Sequence, residues 1–262
     1  MRLIKTLLFV GCVLSSPVAS AQKLNVVGFA DKSHAYFHAL LTEALAAAGQ
    51  PKELNVRFDL PQGRLIQQLE DGTLDVQFFL RNDTLDQKFI RIDQPLTNGL
   101  IGQRILLIRP ADENKFSALK SVDDLRATGM VGGFGQGWFD VKLWGANGLP
   151  TFEQDGEWRA LFKMLASGQR KVDYMARGVT EVQTEAAANP ELAIEKNLLL
   201  VYQNDRYFYL PRSEPELAKP LGEGLALLKQ NGRQAALIEE HYGAMLKALN
   251  VSARHKVNLK MP

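Results

Sequence analysis

The sequence predicts an α/β fold of two lobes, each a mostly parallel sheet flanked by helices, joined by two crossover strands. Three observations support this expectation. Short apolar segments alternate with helical patterns over the first eighty residues, the alternation returns between about residues 115 and 203, and two helical patterns close the chain. Strands that alternate with helices are typical of parallel sheets, because the chain crosses back over the sheet as a helix. We therefore predict a first lobe from residues 22–109 and 205–262 and a second lobe from residues 110–204.

The first series of elements has the order β-α-β-α-β. Ser33 can cap a helix whose apolar residues recur every three or four positions until Gly49 ends it. The other segments alternate apolar and polar residues or are continuously apolar, as half-buried and buried strands are. They predict strands at residues 24–30, 54–60 and 74–80 and a short helix at 64–70.

The second series follows a strand predicted at residues 104–108. Ser121 begins a short helix with a capping box. A strand at 130–134 continues into the glycine-rich segment 132–138, which begins another helix. Further patterns predict helices at 157–166, 180–188, 215–230 and 232–249 and strands at 172–175, 198–202 and 207–210, and the tail 254–262 is expected to be loosely held.

The N-terminal segment has the pattern of a secretory signal peptide. Arg2 and Lys5 give a positive start, an apolar run covers residues 6–14, and small residues precede a cleavage site after Ala21. A short buried N-terminal helix is the alternative. A lipid anchor on Cys12 is another, although the residues before it lack the usual leucine. We expect a signal peptide at 1–21, whose removal leaves a chain with no disulfide, thiol nucleophile or cysteine metal ligand.

The predicted mature chain has no net charge. The sequence has 31 Lys and Arg residues against 29 Asp and Glu residues. Arg2 and Lys5 leave with the signal peptide, so 29 residues of each sign remain. A chain without an overall positive field has no general attraction for nucleic acid, and we expect no nucleic-acid partner. No apolar run reaches the roughly 18 residues of a membrane-spanning helix.

Four segments, in the same order along the chain, resemble a known family. They are residues 96–109, residues 121–125 with 130–132, residues 168–173, and residues 207–211 with 215–217 and 231–238. The chain resembles the bacterial extracellular solute-binding proteins of family three, the polar-amino-acid type, over essentially all of the mature sequence. The resemblance implies a two-lobed, periplasmic-binding-protein-like (type II) fold in the periplasm, with a small-molecule ligand between the lobes. It also implies an ABC-transporter permease or a membrane sensor as partner, and we expect a monomer.

The residues that hold the ligand in this family do not all match. In the family an arginine a few residues after a threonine binds the ligand carboxylate, and here that position falls on Asp86 or Gln87. The ligand amine usually meets an aspartate, and here that position is Gly178, beside Arg177. The first loop lacks the family's Pro-Pro-Phe and passes directly into the helix that begins at Ser33. The resemblance therefore implies the fold together with an altered ligand specificity.

The glycine-rich segment 132–138 lies where a strand gives way to a helix. Free backbone N–H groups and the helix dipole can hold a carboxylate or phosphate at such a junction, with Gly135, Gln136 and Trp138 as contacts. A tight turn without a ligand is the alternative. The spacing matches neither a dinucleotide fingerprint nor a P-loop.

Two arginines directly follow strands and can clamp an anion from opposite lobes. Arg81 follows the third predicted strand and Arg177 follows the strand at 172–175. A guanidinium binds a carboxylate through two parallel hydrogen bonds. The alternative is that each pairs with a nearby acid, Arg81 with Asp83 and Arg177 with Glu181.

Aromatic residues at predicted strand ends and helix starts can wall a site for an apolar or ring-bearing ligand. Packing in the core is the alternative for each of them. The candidates are Phe29, Tyr36, Phe79, Trp138, Tyr174 and Tyr207, with Ser33 at the start of the first helix as a further ligand contact. His34 and His38 share a helix face, but no further ligand accompanies them, so we expect no metal and no cofactor.

Together these patterns predict a solute-binding protein. It would capture a small, anionic or amino-acid-like ligand in a cleft between its lobes and present it to a membrane transporter or sensor. We expect no catalytic residue and no enzymatic activity. Two alternatives stay open: an exported enzyme of the same fold, of the dehydratase or lyase type, in which Glu181 is the acid or base, and a structural envelope protein without a cleft.

Overall fold

The computed structural model describes residues 23–28, 35–58, 62–168 and 172–262. The predicted signal peptide, the lipid-anchor alternative at Cys12, and the candidates Phe29, Ser33 and His34 lie outside the described residues. The described part is an α/β structure of two lobes, as the sequence predicts.

The helices and strands follow the predicted order closely. The first part of the chain forms β1 (Leu24–Gly28), α1 (Ala35–Ala47), β2 (Leu54–Phe58), α2 (Gln62–Glu70), β3 (Gln77–Leu80), α3 (Asp83–Lys88) and β4 (Ile90–Arg91). The middle forms β5 (Gln103–Ile108), α4 (Glu113–Phe116), α5 (Val122–Ala127), β6 (Gly132–Gly135), α6 (Phe139–Ala146), β7 (Thr151–Gln154), α7 (Ala160–Ser167), β8 (Tyr174–Gly178), α8 (Val182–Ala188), β9 (Ala193–Ile194) and β10 (Leu198–Val201). The last part forms β11 (Arg206–Leu210), α9 (Ala218–Gln230), α10 (Arg233–Ala248) and β12 (His255–Asn258).

The first lobe is built on β1 to β4 and the returning strand β11. β1 and β2 pair in parallel, and β11 pairs antiparallel with β3 on one side and β4 on the other. The apolar residues of α1 recur at helical spacing, so they share one face and are buried against this lobe's core. α9 packs against α1 so closely that a Cβ added at Gly224 would lie 1.9 Å from the Ala44 carbonyl oxygen. Only glycine fits this contact between the helices.

The second lobe contains a sheet in the order β12-β10-β5-β8-β6-β7, with β9 also paired to β5. β6 runs parallel to β7 and β8, whereas β5 enters from the first lobe and runs antiparallel to its neighbours. Two segments that the sequence analysis placed in the first lobe, β5 and β12, pair within this sheet.

The expectation of a loose tail is wrong. β12 pairs in parallel with β10, from His255 opposite Leu198 to Asn258 opposite Val201. The alternation of the tail residues turns Val257 and Leu259 into the core of the second lobe, where they are 4% and 6% exposed. Burial of these two side chains outweighs the weak strand propensity of their polar neighbours.

Two crossover segments join the lobes and lie against each other. The buried Asp205 carboxylate accepts hydrogen bonds from the Thr97 N–H (3.0 Å) and hydroxyl (2.7 Å) and from the Gly99 N–H (2.7 Å). A Cβ added at Gly102 would lie 2.2 Å from the Tyr202 carbonyl oxygen. Residues 97–102 and 202–205 therefore form one connected hinge.

Candidate functional site

A cavity of about 580 Å³ lies between the lobes. Four segments form it: β3 with the residues that follow, Leu65 of α2, the residues from Gly137 to the start of α6, and Asn204 with Arg206 at the start of β11. The carboxyl ends of β3 and β6 both meet it, which is where ligands bind in α/β proteins. Half of its lining residues are apolar: Leu65, Phe78, Phe79, Leu80, Leu85, Trp138 and Phe139.

Trp138 forms the wall on the side of the second lobe. A Cβ added at Gly135 would lie 2.5 Å from the Trp138 ring, so the indole lies directly over this glycine. The Trp158 ring meets the Trp138 ring edge-on, with 5.1 Å between their centroids. The glycine-rich turn thus positions an aromatic wall, because it leaves room for the indole to lie flat.

Arg177 supports Trp138 from behind rather than facing the cavity. Its guanidinium carbon lies 4.8 Å from the ring centroids of both Trp138 and Trp158. Its Nε and Nη2 each donate to Glu185 at 2.6 Å, and Nη2 also donates to Glu181 at 3.1 Å. The alternative in which Arg177 pairs with a nearby acid is therefore the observed one, with Glu185 as the stronger partner.

Arg81 lines the cavity with its side chain 54% exposed. Its Nε donates to Asp86 at 3.3 Å, so its acidic partner is Asp86 and not the expected Asp83. Asp86 also accepts from Arg91 Nη1 (2.5 Å) and from the Tyr209 hydroxyl (2.9 Å). Burial alone would raise the pKa of Asp86, but these hydrogen bonds and the positive charge of Arg91 hold it below its ordinary value. Asp86, one of the two residues that the resemblance aligns with the family's ligand-binding arginine, is thus an acid with its own partners.

Arg206 lines the cavity, and its guanidinium has ring contacts but no hydrogen-bonded acid among the residues that the structure describes. Its guanidinium carbon lies 5.4 Å from the Phe37 ring centroid and 5.5 Å from that of Phe78. No side-chain hydrogen bond or ion pair joins it to any described residue. Burial lowers the pKa of Arg206 below its ordinary value. A guanidinium held by ring contacts keeps its N–H edges available, and these edges match a carboxylate.

Asp140 brings a carboxylate to the cavity wall from the first turn of α6. The Asp140 carboxylate accepts two hydrogen bonds from Arg104: Nε donates to Oδ1 at 2.7 Å and Nη2 donates to Oδ2 at 3.3 Å. Arg104 also donates to the Tyr202 hydroxyl at 2.6 Å. Burial alone would lower the pKa of Arg104, but Asp140 raises it, and burial raises the pKa of Tyr202 to about 12. This pair connects α6 of the second lobe to the hinge.

The other predicted site residues lie in different places. Phe79 lines the cavity beside Arg81 and Trp138, so these three come together. Tyr36 and Tyr174 are buried in the cores of the two lobes: Tyr36 donates its hydroxyl hydrogen to the Leu96 carbonyl, and the Tyr174 hydroxyl accepts from Trp144 at 2.9 Å.

Three candidates from the sequence lie around the cavity rather than in its wall. Gln136 is exposed and donates its N–H to the Gln154 carbonyl at 2.9 Å. Tyr207 packs under Arg91, and Glu181 is exposed beside Arg177. Ligand contact by these residues stays a prediction.

Arg206, Asp140 and Arg104 are the residues that the sequence reasoning missed. The sequence pattern indicates these residues only weakly. Arg206 ends a polar run, residues 203–206, directly before one predicted strand, and Arg104 is the first residue of a different predicted strand. Nothing in the sequence indicates that Arg104 is paired and Arg206 is not, because the partners come from distant segments.

Metal and membrane features have no support in the described ranges. His38 Nε2 lies 3.0 Å from the Val27 carbonyl oxygen. Among the residues that the structure describes, no cluster of three or more His, Cys, Asp or Glu side chains is arranged to hold a metal ion. No helix within the same residues is both long and apolar enough to cross a membrane.

Solved structures with the same fold are numerous, although no family model and no curated protein match the sequence. An ancestral arginine-binding protein bound to glutamine aligns over 84% of this chain and 98% of its own, with a TM-score of 0.55 and 18% identity. An amino acid ABC transporter substrate-binding protein from Streptococcus pneumoniae, bound to L-arginine, aligns over 78% and 81%, with a TM-score of 0.53 and 16% identity. The ancestral amino acid-binding protein AncCDT-1, a precursor of cyclohexadienyl dehydratase, aligns over 79% and 84%, with a TM-score of 0.52 and 18% identity. These similarities confirm the two-lobed fold.

Proposed function

We propose that the chain is an exported solute-binding protein that captures a small anionic ligand between its lobes and presents it to a membrane transporter or sensor. The observation that carries this proposal is the Arg206 guanidinium, which lines the inter-lobe cavity without a hydrogen-bond partner among the described residues. A largely buried charge without a hydrogen-bonded partner lowers stability, and such charges cluster at binding sites.

Binding would work through closure of the lobes. Arg206 and Phe79 belong to the first lobe and its hinge, whereas Trp138 and Phe139 belong to the second. A ligand that contacts both sets does so fully only when the lobes approach each other. Its binding therefore shifts the population toward a closed form, which the membrane partner can distinguish from the open one.

The comparisons support the class of protein proposed. The aligned structures include a substrate-binding protein of an amino acid ABC transporter, which supports a permease as the partner. The signal-peptide pattern in residues 1–21 supports export to the periplasm, and we propose cleavage after Ala21.

Thermal unfolding against a compound panel tests the proposal. The chain from Gln22 to Pro262 would be melted with amino acids, organic acids, aromatic acids, peptides and sugars. A ligand at about 100 times its Kd adds roughly 2.7 kcal/mol, a rise of about 5–10 °C in Tm. We expect a rise with an anionic class and its loss in Arg206→Met. The proposal would be overturned if no class of compound raises Tm and native mass spectrometry shows no co-purified ligand.

An enzyme of the same fold is the second candidate. The alignment with a precursor of cyclohexadienyl dehydratase favours it. Its proposed acid or base, Glu181, is exposed, pairs with Arg177 at 3.1 Å, and is not one of the residues that line the cavity. Proton NMR of the bound ligand over hours separates the two: an unchanged ligand supports binding alone, and a new product supports catalysis.

A further inference from the structure

The carboxylates around the cavity are already occupied by protein donors. Asp140 is bound by Arg104 at 2.7 and 3.3 Å. Asp86 is bound by Arg81 and Arg91, and it also accepts from Tyr209. Each of these acids is thus neutralised before a ligand arrives.

The two remaining acids near Arg206 are also engaged. Asp205 accepts from the Thr97 and Gly99 N–H groups within the hinge. Glu181 attracts Arg206 electrostatically, but its hydrogen bond goes to Arg177 at 3.1 Å. Among the described residues, no cavity-facing carboxylate is therefore free for a positively charged group.

Among the described residues, no carboxylate forms a hydrogen bond or ion pair with the Arg206 side chain at the cavity. The Phe37 and Phe78 rings that hold it are stacked on each other, with 3.9 Å between their centroids. The rings restrict the guanidinium plane, so its N–H edges offer a fixed fork for two hydrogen bonds. Seven of the other thirteen lining residues are aromatic or aliphatic.

From these charges we propose that the ligand is a monocarboxylate with an apolar, ring-sized body and no ammonium group. Its carboxylate bonds the Arg206 guanidinium, and its ring packs between Phe79 and Trp138. An α-amino acid is disfavoured, because its ammonium would lose water without gaining a carboxylate partner. This inference rests on the proposed solute-binding function and names the ligand class of that site.

The test uses compounds that share one ring and differ only in charge. Isothermal titration calorimetry would measure 3-phenylpropanoate, L-phenylalanine and 2-phenylethylamine against the chain from Gln22 to Pro262. We expect 3-phenylpropanoate to bind at least about tenfold more tightly than L-phenylalanine, and 2-phenylethylamine not to bind. Indole-3-propanoate against L-tryptophan repeats the comparison with a larger ring.

Variants of Arg206 establish where the acid binds. Arg206→Met keeps the packing against Phe37 and Phe78 but removes the fork, and we expect at least about a hundredfold weaker binding of 3-phenylpropanoate. Arg206→Lys keeps the charge without the fork and should bind with intermediate affinity. Lys229→Met removes one positive charge from the exposed surface of α9 and serves as the matched control, with the wild-type affinity expected.

The outcomes separate this inference from the function on which it rests. Equal or tighter binding of L-phenylalanine, or binding of 2-phenylethylamine, would overturn the inference and leave solute binding intact. A third result would have the same meaning: neither 3-phenylpropanoate nor indole-3-propanoate binds, but another compound of the thermal-unfolding panel raises Tm. The inference then fails and solute binding stands. If no compound binds and native mass spectrometry shows no co-purified ligand, the inference and the proposed solute-binding function both fail. Tight binding of the acid that survives in Arg206→Met would also overturn the inference.

Discussion

Replacing Arg206 by methionine should weaken ligand binding much more than it changes the stability of the free protein. In the free protein, burial lowers the pKa of Arg206 below its unfolded value. For a base this means that the charged form is disfavoured by folding, and the penalty is present at every pH below the lowered pKa, including pH 7. The methionine removes this penalty and keeps apolar contact with Phe37 and Phe78.

Two opposing contributions set the stability of the free Arg206→Met chain, and a third sets its ligand affinity. Loss of the cation–π contacts costs about 0.5–1 kcal/mol for each ring. Removal of a desolvated, unpaired charge raises the free energy of unfolding by on the order of 1–3 kcal/mol. For two rings these figures sum to a change of about −1 to +2 kcal/mol in the free energy of unfolding of the free Arg206→Met chain. In the complex, two charge-assisted hydrogen bonds are lost, about 3 kcal/mol or more, which raises Kd by roughly a hundredfold.

Urea unfolding with and without 3-phenylpropanoate measures both effects on one sample. The wild type should gain stability with the ligand, and Arg206→Met should gain almost none, while the free variant stays between about 1 kcal/mol below and 2 kcal/mol above the wild type. A free Arg206→Met chain that is destabilised by more than about 2 kcal/mol would contradict this prediction, because it would mean that the guanidinium has a structural partner.

Three further changes have expected outcomes. Gly224→Ala forces a Cβ against the Ala44 carbonyl and should lower the free energy of unfolding by about 1–3 kcal/mol in urea; an unchanged midpoint would contradict the close contact. Gly135→Ala must displace the Trp138 ring, so it should weaken ligand binding by about fivefold or more in calorimetry and shift the indole fluorescence; wild-type affinity would count against the aromatic wall. Asp86 has a lowered pKa in the fold, so it adds stability above its unfolded pKa that is lost as pH falls through the folded value. In Asp86→Asn the free energy of unfolding should therefore fall less as pH is lowered than it does in the wild type. The same pH dependence in both chains would contradict the stabilising role of the Asp86 carboxylate.

The fold was largely accessible from local sequence patterns. Alternating strand and helix segments predicted most elements, because periodicity reflects which face of each element is buried. The tail was missed, since His255 to Leu259 carries only two apolar inward residues and its strand depends on a distant partner, with Leu198 opposite His255.

The site was accessible only in part. Phe79, Arg81 and Trp138 were found because they lie near the ends of strands or soon after them, at the cleft. Arg177 was considered as a free cation, but its role depends on Glu185, which a helix brings back to it. Arg206 was missed for the converse reason: the absence of a partner among the described residues is a property of the whole fold.

A crystal structure of the chain with 3-phenylpropanoate would show directly whether Arg206 binds the ligand. We predict the carboxylate within about 3 Å of two Arg206 nitrogens, between the two lobes. A carboxylate bound away from Arg206, or a guanidinium paired with a protein acid in the complex, would contradict it.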